Sequence, residues 1–345
     1  MLSQIKEYKI ISLIGKGAYG SVYKVQNINT NEFFAMKMYL ITENNQNDIQ
    51  SIENETKILS KLNHPNIIKL YSYFQFKDSF CLLMELCEHG DLYKLIEQKK
   101  QKRQHFNESE IKQYLYEICK GLEYLHSHKI IHRDLKTLNI FLSKTNHIKI
   151  GDFGVSKQLI NNKKFATTFV GTPYYLSPEI CSEKPYDEKS DMWSLGVILY
   201  EMINLQKPYE SNSQLGLVMK IIKEAPKPID NDIRNLFSGR LVGLIYSLLE
   251  KNPKRRFSII QVLHSGVFEK QEVKKVHPVE KEEIINVHPV EKEVKIKKKD
   301  LVIKTNNNSN VLVNKKKIGV GDITNKRVRT NPKNKQDNKL VSDKI

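Results

Sequence analysis

Residues 131–141 read IHRDLKTLNIF. Six of the eleven are polar, and His132, Arg133, Asp134 and Lys136 carry or can carry charge. Apolar runs lie on both sides. Charged groups are costly to bury without partners, so this segment leaves the core as a loop between two apolar elements. It either holds its charges idly at the surface or gathers them for a reaction, and the flanking sequence decides between the two.

Upstream, YKIISLIG (8–15), SVYKVQN (21–27) and EFFAMKMYL (32–40) alternate and are rich in β-branched and aromatic residues, which predicts strands. NDIQSIENETKILSKL (47–62) predicts a helix, with Ile52, Ile58, Leu59 and Leu62 at helical spacing. NIIKLYSYF (66–74) and FCLLMEL (80–86) predict two more strands. Beyond Gly90 the period becomes helical. ESEIKQYLYEICKGLEYLHSH (108–128) places Ile111, Leu115, Ile118, Leu122 and Leu125 on one stripe. Glu108 and Glu110 sit in its first turn, where carboxylates suit the helix dipole. DMWSLGVILYEMIN (191–204) and LVGLIYSLLE (241–250) predict further helices. The expected fold is α+β and bilobal: a small β-rich N-terminal lobe, a larger helical C-terminal lobe, and a cleft between them suited to a ligand.

The chain has 345 residues, 39% hydrophobic and 9% aromatic, enough for one large core. Phe268 is the last aromatic residue. Everything after it, 269–345, forms a tail that is rich in Lys, Asn, Val and Glu and expected to be disordered. Residues 271–345 hold 19 Lys and Arg against 10 Asp and Glu, about half of the +17 total. That balance suits an acidic partner such as a microtubule or nucleic acid, or else a solvated linker. Lacking aromatics to stack on bases, the tail does not read as a sequence-specific nucleic-acid module. VHPVEKE occurs at 276–282 and again at 287–293, which reads as a neutral duplication. Cys81, Cys87, Cys119 and Cys181 form no metal-binding spacing and read as reduced thiols. MLSQIKEYKI has no signal-peptide pattern, Leu2 stands where myristoylation needs glycine, and no apolar run reaches the length of a membrane span. An intracellular, cytoplasmic location is expected, with nuclear or cytoskeletal association as alternatives.

Three more features converge on the opening loop. GKGAYGSV places Gly15, Gly17 and Gly20 in a G-x-G-x-x-G spacing that leads into a strand, whereas dinucleotide-binding folds lead into a helix. Backbone amides there can approach phosphates. Lys37 lies in FAMK, and Glu55 follows on the next predicted helix among apolar neighbours, a cation with its counter-charge. KIGDFG brings Asp152 downstream of Asp134, while Asn139 lies five positions after Asp134. Phosphoryl transfer needs a carboxylate to orient the attacking hydroxyl, oxygen ligands for Mg²⁺, and cations for the γ-phosphate. Asp134, then Asn139 with Asp152, then Lys136 fill those needs. Each residue type alone is ordinary; the joint order and spacing are not.

Residues 8–268 resemble a eukaryotic protein kinase, on the glycine loop, Lys37, Glu55, HRDLKTLN, DFG and SPE. HRDLKTLNIFL, GDFGVSK, GTPYYLSPEI and KNPKRRFSIIQVL are similar to the NIMA-related (Nek) serine/threonine kinases. The resemblance implies ATP and Mg²⁺ as cofactors and proteins with Ser/Thr acceptors as substrates. It implies that Gly15, Gly17 and Gly20 cover the phosphates and that Lys37 contacts them while paired with Glu55. Met84 would lie at the back of the adenine pocket, with Glu85–Cys87 as a hinge whose backbone groups bind the adenine edge; Ile14, Val22, Ala35 and Phe141 would sandwich the ring, and Asp91 would meet the ribose. Asp134 would be the catalytic base, with Lys136 beside it, and Asn139 and Asp152 would ligate Mg²⁺. His132, Phe153, Leu59 and Leu70 would stack as a spine, and Glu179 would pair with Arg256. Thr168 would be the activating phosphosite, read by Arg133, and Thr172 would bond the catalytic loop. A cell-cycle, microtubule or cilium role follows from the same likeness. Leu138 departs from the polar residue common at its position, and Phe257 from a proline. The competing reading is a catalytically silent kinase-fold scaffold acting through its basic tail.

Overall fold

The computed structural model describes residues 4–17, 20–40, 46–153, 157–158 and 173–269. Thr168, Thr172 and the tail lie outside the described residues.

The N-terminal lobe contains β1 (Gln4–Ile5), β2 (Tyr8–Gly17), β3 (Gly20–Asn27), β4 (Phe33–Leu40), α1 (Gln46–Leu59), β5 (Leu70–Phe76) and β6 (Ser79–Met84). Among the described residues the strands form one antiparallel sheet in the order β1-β2-β3-β4-β6-β5. Alternation divides its side chains. Ile5, Tyr8, Val25, Met36, Cys81 and Leu83 pack as one cluster, while Tyr39 and Leu82 turn to the other face and meet Ile52 of α1. The two-residue β1 was not expected from the sequence. It turns back at Lys6, which has a left-handed φ of 51°, and places Ile5 in the first cluster fully buried.

The segment predicted as a strand over 66–74 divides between the lobes. Only Leu70–Phe76 joins the sheet. Upstream, Ile68 N donates to Ile150 O at 2.9 Å and Ile150 N donates to Asn66 O at 2.8 Å. Asn66 Nδ2 adds a bond to Ile148 O at 3.0 Å. The apolar pair Ile67–Ile68 is buried against the large lobe, which is why the run looked continuous.

The C-terminal lobe follows with α2 (Leu92–Gln101), α3 (Glu108–Ser127), β7 (Ile130–Ile131), a 3-10 turn (Thr137–Asn139), β8 (Ile140–Leu142), β9 (Ile148–Ile150), β10 (Lys157–Gln158), α4 (Pro178–Cys181), α5 (Lys189–Asn204), α6 (Gln214–Lys223), α7 (Asn231–Arg234), α8 (Gly239–Leu248) and α9 (Ile259–Leu263). Asn107 caps α3, its Oδ1 accepting from Glu110 N at 2.8 Å. The expected stripe of α3, from Ile111 to Leu125, is fully buried. Helix α5 is apolar nearly all round and buried along its length from Ser190 to Asn204, so it forms the axis of the lobe. The opening loop runs between β7 and β8, held from below by α3 and α5. Among the described residues no helix is long and apolar enough to cross a membrane.

Candidate active site

The cross-strand register sets Gly15, Val22, Lys37 and Leu82 side by side on β2, β3, β4 and β6. Gly17 pairs with Gly20 at the open end of the β2–β3 hairpin. A Cβ on Gly20 would run into the carbonyl oxygen of Met38, so only glycine lets the hairpin press against β4 there.

From this row Lys37 reaches two carboxylates. Its Nζ lies 2.9 Å from Glu55 Oε1 and 3.0 Å from Asp152 Oδ1. Burial alone would lower the Lys37 pKa, but Glu55 and Asp152 outweigh it and hold the ammonium well above the usual lysine range. The other oxygen of Glu55 accepts from Tyr39 OH. Tyr39 is itself kept protonated by burial and by Glu55. Glu55, 2% exposed, is thereby fixed on α1 by two partners from β4. Burial opposes the charge on Asp152 as well, and the Lys37 ammonium, then His132 and Lys136, hold its pKa below the usual carboxylate value.

Beneath lies the loop. Lys136 Nζ sits 2.6 Å from Asp134 Oδ2. Asn139 Nδ2 donates to Asp134 O at 2.7 Å and to Oδ2 at 3.0 Å. These bonds fix the Asp134 carboxylate while leaving it one-third exposed to the cleft. Gly151 N donates to Asn139 O at 3.0 Å, which ties the segment carrying Asp152 to the loop. Arg133 and Asp152 both adopt left-handed backbone, at φ 71° and 63°. Non-glycine residues rarely hold that conformation unless their surroundings impose it.

Asp191 imposes it at Arg133, and the sequence reading missed this residue. Its Oδ1 accepts from Arg133 N at 2.9 Å, and its Oδ2 from His132 N and His126 Nε2, each at 2.9 Å. At 1% exposure it sits under the loop as a fixed acceptor. Burial disfavours its charge, yet the His126 hydrogen bond leads the contributions that keep its pKa low. An acid at the head of an otherwise apolar helix was the available signal. His132 meets Phe153 with ring centroids 5.0 Å apart, and Leu59 and Phe153 are buried in the large core, with Leu70 packed against it.

Around the cleft, Ala35 pairs with Met84 and Asp91 bridges Phe141. Ile14 is 42% exposed at the sheet edge. The Glu85 side chain pairs with Lys149 at 2.7 Å. Burial, then Glu85, pushes the Cys87 thiol up to about 12, so it is a protonated, unreactive wall. Asp91 has a local occupation: its Oδ1 caps α2 by accepting from Lys94 N at 2.8 Å, and its Oδ2 lies 3.4 Å from Lys94 Nζ. Arg133 places its guanidinium 5.0 Å from the Tyr186 ring centre. Farther out, Arg256 grips Glu179 with two bonds, 2.6 and 2.9 Å, both side chains buried. Leu138 stands 48% exposed beside the loop.

The family profile of the protein kinase domain matches residues 8–268. This chain belongs to the protein kinase family. The chain is 35% identical over 274 residues to serine/threonine-protein kinase Nek1 of Mus musculus, covering 79% of this chain and 22% of that protein. It is 37% identical over 259 residues to serine/threonine-protein kinase Nek3 of Mus musculus, covering 75% of this chain and 49% of that one. A probable serine/threonine-protein kinase nek1 of Dictyostelium discoideum is 37% identical over 281 residues, 76% of this chain and 56% of its own length. The kinase domain therefore groups with the Nek serine/threonine kinases, and the chain spans from about a fifth to about half of these curated relatives. As a family, protein kinases use ATP and Mg²⁺ and phosphorylate proteins.

Proposed function

We propose that this chain is an active NIMA-related serine/threonine kinase that transfers the γ-phosphate of ATP to Ser/Thr hydroxyls of proteins. One observation supports it above the others: Lys37 bridges Glu55 and Asp152 at 2.9 and 3.0 Å, joining the small lobe to the segment after the loop in a single charge network. A scaffold has no need of a partly buried lysine held charged against two carboxylates across a cleft.

The donor set fits ATP with Mg²⁺. Among the described residues no hydrogen bond reaches Asn139 Oδ1 or Asp152 Oδ2, and hard oxygen ligands suit Mg²⁺. The cofactor supplies the phosphoryl group and neutralises its charge. Asp134 orients the acceptor hydroxyl and takes its proton, with the carboxylate aimed by Asn139 and Lys136. Lys136 and Lys37 supply positive charge where the transferring group gathers negative charge. Gly15, Gly17 and Gly20 lend backbone amides to phosphate, and Ile14, Val22, Ala35, Met84 and Phe141 wall the base. Asp91, fixed at the start of α2 by its cap, is the candidate ribose contact. Arg133 is the candidate reader of a phosphate on Thr168.

The charge of 271–345 supports an acidic partner for the tail, and the four unpaired cysteines support a reducing, intracellular setting. Nek likeness supports a cell-cycle or microtubule process. The test is phosphoamino-acid analysis after incubation with radiolabelled Mg²⁺-ATP and a generic protein substrate. Label on serine or threonine, lost in Asp134→Asn, is the expected result. Undiminished label in Asp134→Asn overturns the assignment of the base, and no label from wild type overturns the reading.

A further inference from the structure

Thr137 lies between Lys136 and Asn139, and its side chain is fully buried. A buried threonine in a turn commonly satisfies its hydroxyl on its own backbone. This one reaches far along the chain instead, to Tyr175 OH at 2.8 Å. Tyr175 OH donates its one proton to Glu201 Oε2 at 2.6 Å, so it can only accept from Thr137. Glu201 is buried on α5, and its other oxygen lies 2.5 Å from Lys207 Nζ. Lys207 also bonds Tyr175 OH and stands 4.3 Å from the centre of its ring. Ser194 of α5 holds Tyr175 at a second point, donating to its carbonyl at 2.8 Å. Every proton in this chain points toward Glu201, and Lys207 balances the charge on which that direction depends.

We propose that Thr137 and Lys207 are positioning residues that fix the catalytic loop to the PYYLSPE segment (173–179) through the buried chain Thr137–Tyr175–Glu201–Lys207. This inference rests on the kinase reading. The axial helix of the large lobe sets Tyr175, and Tyr175 sets the turn that carries Lys136 and Asn139 toward Asp134. Without Lys207, Glu201 is a buried carboxylate without a counter-ion. A buried charge without its partner is strongly destabilising, so the chain loses its anchor.

The test is steady-state kinetics of the full chain with Mg²⁺-ATP and a generic Ser/Thr protein substrate. Wild type stands beside Thr137→Val, Thr137→Ser, Tyr175→Phe, the Thr137→Val/Tyr175→Phe double variant and Lys207→Met. Thr137→Val, which keeps side-chain volume, is expected to lower kcat about tenfold, the rate equivalent of one well-placed hydrogen bond, while KM for ATP stays within about twofold. Thr137→Ser restores the rate. The double variant is no slower than Tyr175→Phe, because both remove one link. Lys207→Met also lowers kcat while KM for ATP stays within about twofold. Wild-type kcat in Thr137→Val, multiplying effects in the double variant, or wild-type kcat in Lys207→Met overturns the inference while leaving the kinase reading intact. A wild type that transfers no phosphate overturns both. Tyr175→Phe removes the same bond from its other end, and reads the link if Thr137→Val does not fold.

Discussion

Replacing Asp191 by Asn keeps shape and removes charge. Asp191 serves three donors, with Oδ2 taking His132 N and His126 Nε2 and Oδ1 taking Arg133 N. An asparagine keeps only one acceptor oxygen. Turned toward the side with two donors, it presents its NH₂ to Arg133 N, and two donors then face each other in a site that is 1% exposed. An unsatisfied buried donor costs about 1–3 kcal/mol, and the two surviving bonds lose their charge assistance. Together the loss is about 3 kcal/mol. For a domain of this size that lowers Tm by roughly 6–12 °C. The residue freed is Arg133, whose φ of 71° needs an external hold. Its relaxation displaces Asp134, so kcat falls by more than about tenfold, beyond what a change in stability alone produces. Thermal unfolding by circular dichroism and phosphate transfer well below Tm check the two parts. A Tm within about 1 °C of wild type would refute the reasoning, and unchanged kcat would refute its catalytic half.

Lys37→Met removes the bridge between Glu55 and Asp152 and is expected to abolish transfer while circular dichroism stays native; retained activity counts against the network. Arg256→Met leaves Glu179 charged and buried without its partner, which costs about 3–5 kcal/mol, so the variant unfolds at clearly lower urea than wild type; an unchanged midpoint removes the structural role. Burial first, and then the nearby Arg256, press the Lys251 pKa down to about 8 in the folded protein. The unfolded chain therefore binds more protons between about pH 8 and the usual lysine value near 10.4. Stability gains a rising contribution from Lys251 across that window, so wild type gains stability relative to Lys251→Met as pH rises through it. Urea titrations at several pH values read this, and a difference that does not change with pH counts against it.

The site was legible where chemistry demands particular residues at particular distances. Lys37 and Glu55 lie on separate elements, and their meeting requires a strand and a helix, both readable from periodicity. Asp134 and Asn139 share one turn, so their contact follows from spacing. Asp191 was hidden because an acid in the first turn of a helix already has a local explanation, its dipole; only the tertiary fold shows it under Arg133. Thr137 and Tyr175 were hidden for a related reason, since a hydrogen bond between distant stretches of chain leaves no periodic trace. The run at 66–74 misled because apolar residues signal burial without saying in which lobe. The cap that Asp91 provides to α2 was not read from the sequence, where Asp91 was expected only to meet the ribose.

The most direct measurement of the central claim pairs two readings on one preparation of Asp134→Asn: ATP affinity in the presence of Mg²⁺, by calorimetry, and the rate of phosphate transfer to a protein substrate. Asp134 carries the proton of the acceptor and touches none of the groups assigned to the nucleotide except through Asn139 and Lys136. The account predicts near wild-type affinity with transfer reduced by at least about a hundredfold, the usual weight of a positioned general base. Transfer that survives at the wild-type rate, or affinity lost together with transfer, contradicts it.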